Sequence, residues 1–192
     1  EQIIRLHKNI PRIDFETWVE WGETERLLKV AFPVTVKARH FTTDTSAGGL
    51  ERENHQNTSW QQARFEVCTH KWTDLSEGLF GVALLNDSKY GADVQGNVLR
   101  LSLLRASIRP DRVSDRGQHR FTYSLFTHSG NWRTGGVVEA ALELNWPLRA
   151  LCGRRGISAN PALAIDAPAL KVQALKLAED GSGDVIIRLV EL

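Results

Sequence analysis

The chain has 192 residues, with 42% hydrophobic and 24% charged content and a formal net charge of +1. That is the balance of one globular domain long enough to bury a core. Near-neutral charge argues against a dedicated nucleic-acid binder, which would carry a clustered basic excess, and no apolar run approaches the roughly 18 residues of a membrane helix. Cys68 and Cys152 are too few for a disulfide framework. They read as two buried, reduced thiols of a cytoplasmic protein, against the alternative of a single disulfide. Methionine is absent even at position 1 and no signal segment opens the chain, so an internal fragment of a longer protein is expected.

In chain order, Asp14 to Trp21 fits either a helix or a strand, because Phe15, Trp18 and Val19 suit both. Leu28 to Val34 alternates apolar and polar residues, the mark of a half-buried strand. Pro33 puts it at an edge or a bulge, since proline cannot donate to a ladder. Thr42 to Ser59 reads as a long polar loop. Ala63, Phe65 and Val67 predict a one-sided strand. Gly81 to Gly91 runs an apolar strand, Val82 to Leu85, into a tight polar turn, with apolar side chains for both faces of a sheet. Asn97 to Arg105 turns Leu99, Leu101 and Leu103 inward. Arg109 to Gly117 is a charge-balanced loop, expected to be solvated. Arg120 to Phe126 predicts Phe121, Tyr123 and Leu125 inside, with Thr122 and Ser124 outside. Val137 to Leu144 is the one helix the spacing supports, with Thr134 placed to cap it. Leu170 to Leu177 and Val185 to Leu192 form a hairpin across Gly181-Ser182-Gly183, and a shift in apolar phase between Val172 and Leu175 predicts a bulge. Many strands with one short helix indicate a mainly β fold, an antiparallel β-sandwich occupying residues 1–192 as a single domain.

The chemistry-bearing residues are dispersed. The six histidines form no metal-ligand spacing. His119 and His128 flank one strand and suit hydrogen bonding at its ends. No Gly-x-Ser-x-Gly or phosphate-cradling Gly-x-x-x-x-Gly-Lys occurs. Six tryptophans are many for this length, and most belong in cores. Trp60 and Trp72, in or beside polar stretches, are the ones expected to be exposed. At the Gly81 to Gly91 turn, Asp87, Lys89 and Tyr90 bring an acid, a base and a phenol together at a strand end. The plainer reading is that Asn86 and Asp87 hold that turn by side-chain to backbone bonds.

A set of motifs in fixed order carries a resemblance. Asn57-Thr58-Ser59-Trp60, Phe65-Glu66-Val67, Trp72-Thr73-Asp74-Leu75-Ser76, Gly81 to Gly91, and Gly96-Asn97 with Leu99 to Arg105 come first. His119 to Tyr123, His128-Ser129-Gly130-Asn131-Trp132, Leu144 to Leu148, Val172 to Asp180 and Ile187-Arg188-Leu189 continue it. The ensemble, from about Trp18 to Leu192, resembles the C-terminal β-region of the family 38 glycoside hydrolases, the class II α-mannosidases, of a cytosolic or bacterial type. Thr127 and Val190 depart from the family's usual Pro and aromatic residue. The resemblance implies a mutarotase-like supersandwich within a retaining hydrolase that removes α-linked mannose. It also implies a zinc ion and an aspartate nucleophile in an N-terminal domain that no stretch here matches, so no cofactor is expected on this chain. It places the Asn86 to Gly91 turn toward the active-site side, with Asp87, Lys89, Tyr90, Trp72 and Trp60 as candidate substrate-side or interdomain contacts. The implied partners are the parent's own catalytic domain and mannose-containing carbohydrate. A homo-oligomer is a further expectation, and neither nucleic acid nor a membrane is expected. Rival readings are a stand-alone carbohydrate-binding module with an exposed Trp60 or Trp72, or a structural or oligomerising domain with a large apolar patch.

Overall fold

The computed structural model describes residues 1–46, 48–148, 150, 152 and 163–192. Thirteen strands and two helices follow in chain order: β1 (Gln2–Leu6), β2 (Arg12–Trp21), β3 (Leu27–Pro33), β4 (His40–Thr45), β5 (Gly48–Glu53), α1 (Ser59–Gln62), β6 (Val67–Cys68), β7 (Trp72–Glu77), β8 (Phe80–Asn86), β9 (Gly91–Gln95), β10 (Val98–Arg105), β11 (Gly117–Ser129), α2 (Val137–Asn145), β12 (Leu170–Leu177) and β13 (Val185–Glu191). Every strand pair is antiparallel. One sheet has the order β1-β2-β11-β8-β7-β4-β5, a second has β3-β10-β9-β6, and β12-β13 stands as a separate hairpin. The sandwich expected from the residues is therefore what forms.

The larger sheet is covered on both faces, and this explains the apolar run in β8. Val82 and Leu84 face the smaller sheet, packing with Leu75, Phe121 and Tyr123 against Leu99, Leu101 and Val94. Ala83 and Leu85 face the other way, into a second core with Trp72, Phe126 and Trp132 beneath Val137, Ala140 and Ala141 of α2. A strand in one-sided contact would alternate; a strand buried on both sides need not. The same geometry corrects Ser124, which was expected outside. It is fully buried, on the α2 side of the sheet, and its hydroxyl donates to Asp14 Oδ1 at 2.6 Å.

Several segments depart from expectation. Asp14 to Trp21 is strand, within β2, and pairs with β11. The supposed loop from Thr42 to Ser59 contains much of the β4–β5 hairpin. Its polar side chains are buried with partners: the Arg52 guanidinium donates to Thr43 Oγ1 at 3.1 Å, and Lys71 Nζ donates to Asp44 Oδ2 at 2.9 Å. The strand expected at Ala63 to Val67 shrinks to Val67–Cys68. A four-residue helix precedes it, closed by a capping box: Thr58 Oγ1 accepts from Gln61 N–H and Gln61 Oε1 accepts from Thr58 N–H. The Thr58-Ser59-Trp60-Gln61 spacing is the sequence signature of such a box, and the loop expectation overlooked it. Thr134 does not cap α2. Gly136 occupies that position, and Thr134 closes a turn with Asn131 instead. Pro33 does sit on an edge strand, and the register shift between Val172 and Ala174 is the expected bulge. Both cysteines are exposed and free, not buried. No helix among the described residues is long and apolar enough to cross a membrane.

Candidate functional site

The turn after β8 is built by its own side chains. Strand pairing ends at Asn86, opposite Tyr123. Asn86 Oδ1 accepts the Lys89 N–H at 2.8 Å, and this bond closes the turn. Asp87 then extends the ladder by one step: its N–H donates to Thr122 O at 3.1 Å, and its Oδ2 accepts the Thr122 N–H at 2.9 Å. The Ser88 hydroxyl donates to Asp87 Oδ1 at 2.9 Å. From behind, Asn145 at the end of α2 donates through Nδ2 to Asn86 O at 3.0 Å. The turn is thus held by its own side chains, by β11 and by the helix.

Asp87, Lys89 and Tyr90 share this loop but do different things. The Asp87 carboxylate is engaged with main chain and Ser88. Lys89 Nζ lies 4.4 Å from the centroid of Phe121, a cation over a ring face. Burial lowers the lysine's affinity for its proton, opposed by the nearby charges of Asp115 and Asp87. Tyr90 is the exposed member, its ring edge-on to His70 at 6.0 Å between centroids. The structure therefore offers a charged and phenolic surface at a rigid strand end. The hydrogen-bond partners of Asp87 are those of a turn-holding residue.

The two tryptophans part company. Trp60 on α1 is 81% exposed. Trp72 is only 2% exposed, so its expected place at the surface is corrected. It opens β7 opposite Leu85, on the face that α2 covers, and its ring packs on Trp132 at 4.9 Å between centroids. Trp146, just after α2, is exposed and was not singled out by the sequence.

Two buried polar clusters have no signature in the sequence. In the first, Asp14 takes Arg12 Nε at 2.9 Å, the Ser124 hydroxyl, and His7 Nε2 at 2.6 Å. Burial works to raise the Asp14 pKa, but the bonds from Ser124 and His7 and the charge of Arg12 prevail and hold it below the usual carboxylate value. In the second, His128 Nε2 lies 2.7 Å from Asp74 Oδ1, and Ser76 donates to Asp74 Oδ2. Serine, histidine and aspartate invite comparison with a catalytic triad, but the order is wrong. The hydroxyl bonds the carboxylate, not the imidazole that would take its proton. Both side chains are 2% exposed, so nothing reaches them. The cluster is a structural one. His119 Nε2, at the far end of β11, lies 2.7 Å from Asp115 O, in keeping with a strand-end role.

The described residues contain no group of three histidine, cysteine or carboxylate side chains placed to hold a metal ion. None of the described side-chain groups fits a zinc site, and no chemical step is derived through one.

A sequence model of the glycosyl hydrolases family 38 C-terminal domain matches residues 1–113. Over 194 residues the chain is 44% identical to the human protein "Alpha-mannosidase 2C1", covering 99% of this chain and 19% of that one. It is 40% identical over 192 residues to "Alpha-mannosidase G" of Dictyostelium discoideum, covering 96% of this chain and 18% of that one. The chain thus spans about a fifth of the length of these curated relatives. Among solved structures, an α-mannosidase from Enterococcus faecalis V583 superposes with a TM-score of 0.83 at 16% identity, over 98% of this chain and 23% of that one. That likeness establishes the fold. Both of these relatives are eukaryotic, which lends no support to a bacterial origin.

Proposed function

Because this chain belongs to the C-terminal domains of the family 38 glycosyl hydrolases, we propose that it is the accessory β-domain of a retaining, zinc-dependent α-mannosidase. One observation carries the reading: the chain matches an α-mannosidase almost end to end, yet covers only 19% of it. Nucleophile and zinc belong to the part of the polypeptide outside these residues. This domain packs against that catalytic part, and the Asp87 to Tyr90 loop contributes to the wall of the substrate site. The exposed phenol of Tyr90 and the cation of Lys89 support the assignment, since both can meet hydroxyl-rich ligands or a neighbouring domain. A reducing, cytoplasmic setting completes the proposal, and two exposed free thiols are compatible with it. Nucleic acid and membrane have no part in it.

The test is turnover of an aryl α-mannoside. The full-length polypeptide is expected to hydrolyse it. Residues 1–192 alone, once their circular dichroism and dispersed amide spectrum show a folded β protein, are expected not to. Activity in the folded fragment would overturn the proposal. The exposed indole of Trp60 favours a second reading, a carbohydrate-binding surface. Saturable titration with mannose oligosaccharides that is lost in Trp60→Ala supports it, and absence of binding removes it.

A further inference from the structure

The β12–β13 hairpin keeps an apolar face that the described chain leaves bare beyond its base, where Val172 lines a cavity with Val138 and Trp146. Its register pairs Val172 with Leu189, Leu175 with Ile187, and Leu177 with Val185. Cross-strand partners point to the same side of a sheet, so these six share one face. The bulge is what aligns them. Without the extra residue at Gln173, Val172 and Leu175 would fall on opposite faces, as residues three apart in a regular strand do. The six are 45% to 67% exposed. The opposite face is mixed, with Lys176 and Arg188 paired to Ile186 and Ala174.

The hairpin is anchored at its base. Gln173, the bulged residue, donates through Nε2 to Ser46 O at 3.0 Å. Lys171 Nζ meets Glu139 of α2 at 2.5 Å, and Leu192 packs on the second core. Toward the Gly181 and Gly183 turn, the tip projects away from this anchorage. A two-stranded ribbon with a bare apolar side is marginal in water, so in the intact protein something covers it.

We propose that the cover is an apolar surface of the same polypeptide, in the segment preceding Glu1. This rests on the reading that the chain is the C-terminal domain of a longer hydrolase. Size selects this occupant over a second copy. Seven residues at about 3.3 Å rise and two strands about 4.8 Å apart give a face of roughly 230 Å². A stable interface between separate chains needs about 800 Å² per partner. A face this small, taken by itself, favours a tethered partner, whose effective concentration reaches the millimolar range. Relatives of the chain extend some five times its length, which leaves ample polypeptide to supply one.

The experiment places the photo-cross-linking residue p-benzoylphenylalanine at position 177 of the full-length polypeptide and maps the products by mass spectrometry. Hydrogen–deuterium exchange of residues 170–192 is followed in parallel for the wild type, for Leu175→Glu with Ile187→Glu, and for Lys176→Glu. Cross-links within one chain to residues preceding Glu1, with hairpin exchange faster by about tenfold in the double variant and unchanged in Lys176→Glu, are expected. Cross-links between chains, cross-links confined to these 192 residues, or fast exchange in the wild-type hairpin each overturn the inference. Protection elsewhere on the domain with an unprotected hairpin would leave the accessory-domain reading standing. Absence of protection anywhere on the domain would remove that reading as well.

Discussion

His128 is gripped between two glycines, and the fit is close enough to forbid a methyl group. A Cβ on Gly81 would lie 2.4 Å from His128 Cε1 and 2.7 Å from Ser76 Oγ, and one on Gly135 would lie 2.2 Å from His128 Nδ1. The imidazole cannot retreat, because Asp74 holds its other nitrogen and Phe126 stacks beside it at 6.0 Å between centroids. Gly81→Ala is therefore expected to cost about 2 kcal/mol, read as a lowered denaturant midpoint. Gly22→Ala, with nothing within 4 Å, is the control and should be near neutral. Asp14 sets a second expectation at this scale. Its folded-state pKa lies below the ordinary value of 3.8, so the folded state favours the ionised form. The stabilisation is complete above pH 3.8 and is lost as pH falls below it through the folded value. Asp14→Asn should flatten that acid limb. It should also cost roughly 3 kcal/mol at neutral pH, because buried Arg12 loses its close carboxylate partner and keeps only the 3.9 Å contact to the exposed Glu143. Unfolding curves between pH 2 and 7 check both, and an unchanged acid limb would count against the role given to Asp14.

At the scale of elements, the central fact is that the larger sheet is packed on both sides. Helix α2 uses Val137, Ala140 and Ala141, small enough to seat the helix closely over Trp72, Leu85 and Trp132. Trp72→Ala would open a cavity between helix and sheet and is expected to cost about 3–5 kcal/mol. Trp60→Ala, on an exposed turn of α1, should stay within about 0.5 kcal/mol. Thermal melts of the two variants separate core from surface directly; equal losses would contradict the packing described. The same contrast explains how far the elements could be read. The strands with clean alternation, β3 and β10, declared themselves, as did the bulged hairpin. β4 and β7 did not, because their inward residues include Thr42, Thr43, Thr73 and Asp74. A strand whose buried positions are polar and partnered looks like a loop until its partners are known.

At the scale of the molecule, the candidate loop is a strand end made rigid from three directions. Asn86 closes it, Thr122 of β11 locks Asp87, and Asn145 of α2 supports its backbone. Tyr90 is the free element on that frame. If the loop forms part of the substrate wall, Tyr90→Ala in the full-length polypeptide should raise KM for an α-mannoside several-fold, about 1 kcal/mol of lost binding. Melting temperature and kcat should be little changed. Unaltered kinetics would remove Tyr90 from the wall. Asp87→Ala should instead act through stability, since its carboxylate ties two strands together.

What the residues determined alone was the local part of this protein. Alternation, turn chemistry and motif order were enough for the sandwich, the C-terminal hairpin with its bulge, the strand-to-turn unit at Gly81 to Gly91 and the family. These depend on neighbours within a few positions, or on their succession along the chain. What only the tertiary structure decided was which faces meet. It put Trp72 under a helix, buried Ser124 beside Asp14, paired His128 with Asp74 across 54 positions and left the hairpin face bare. Burial and charge pairing join residues far apart in sequence, and no local pattern encodes such partners.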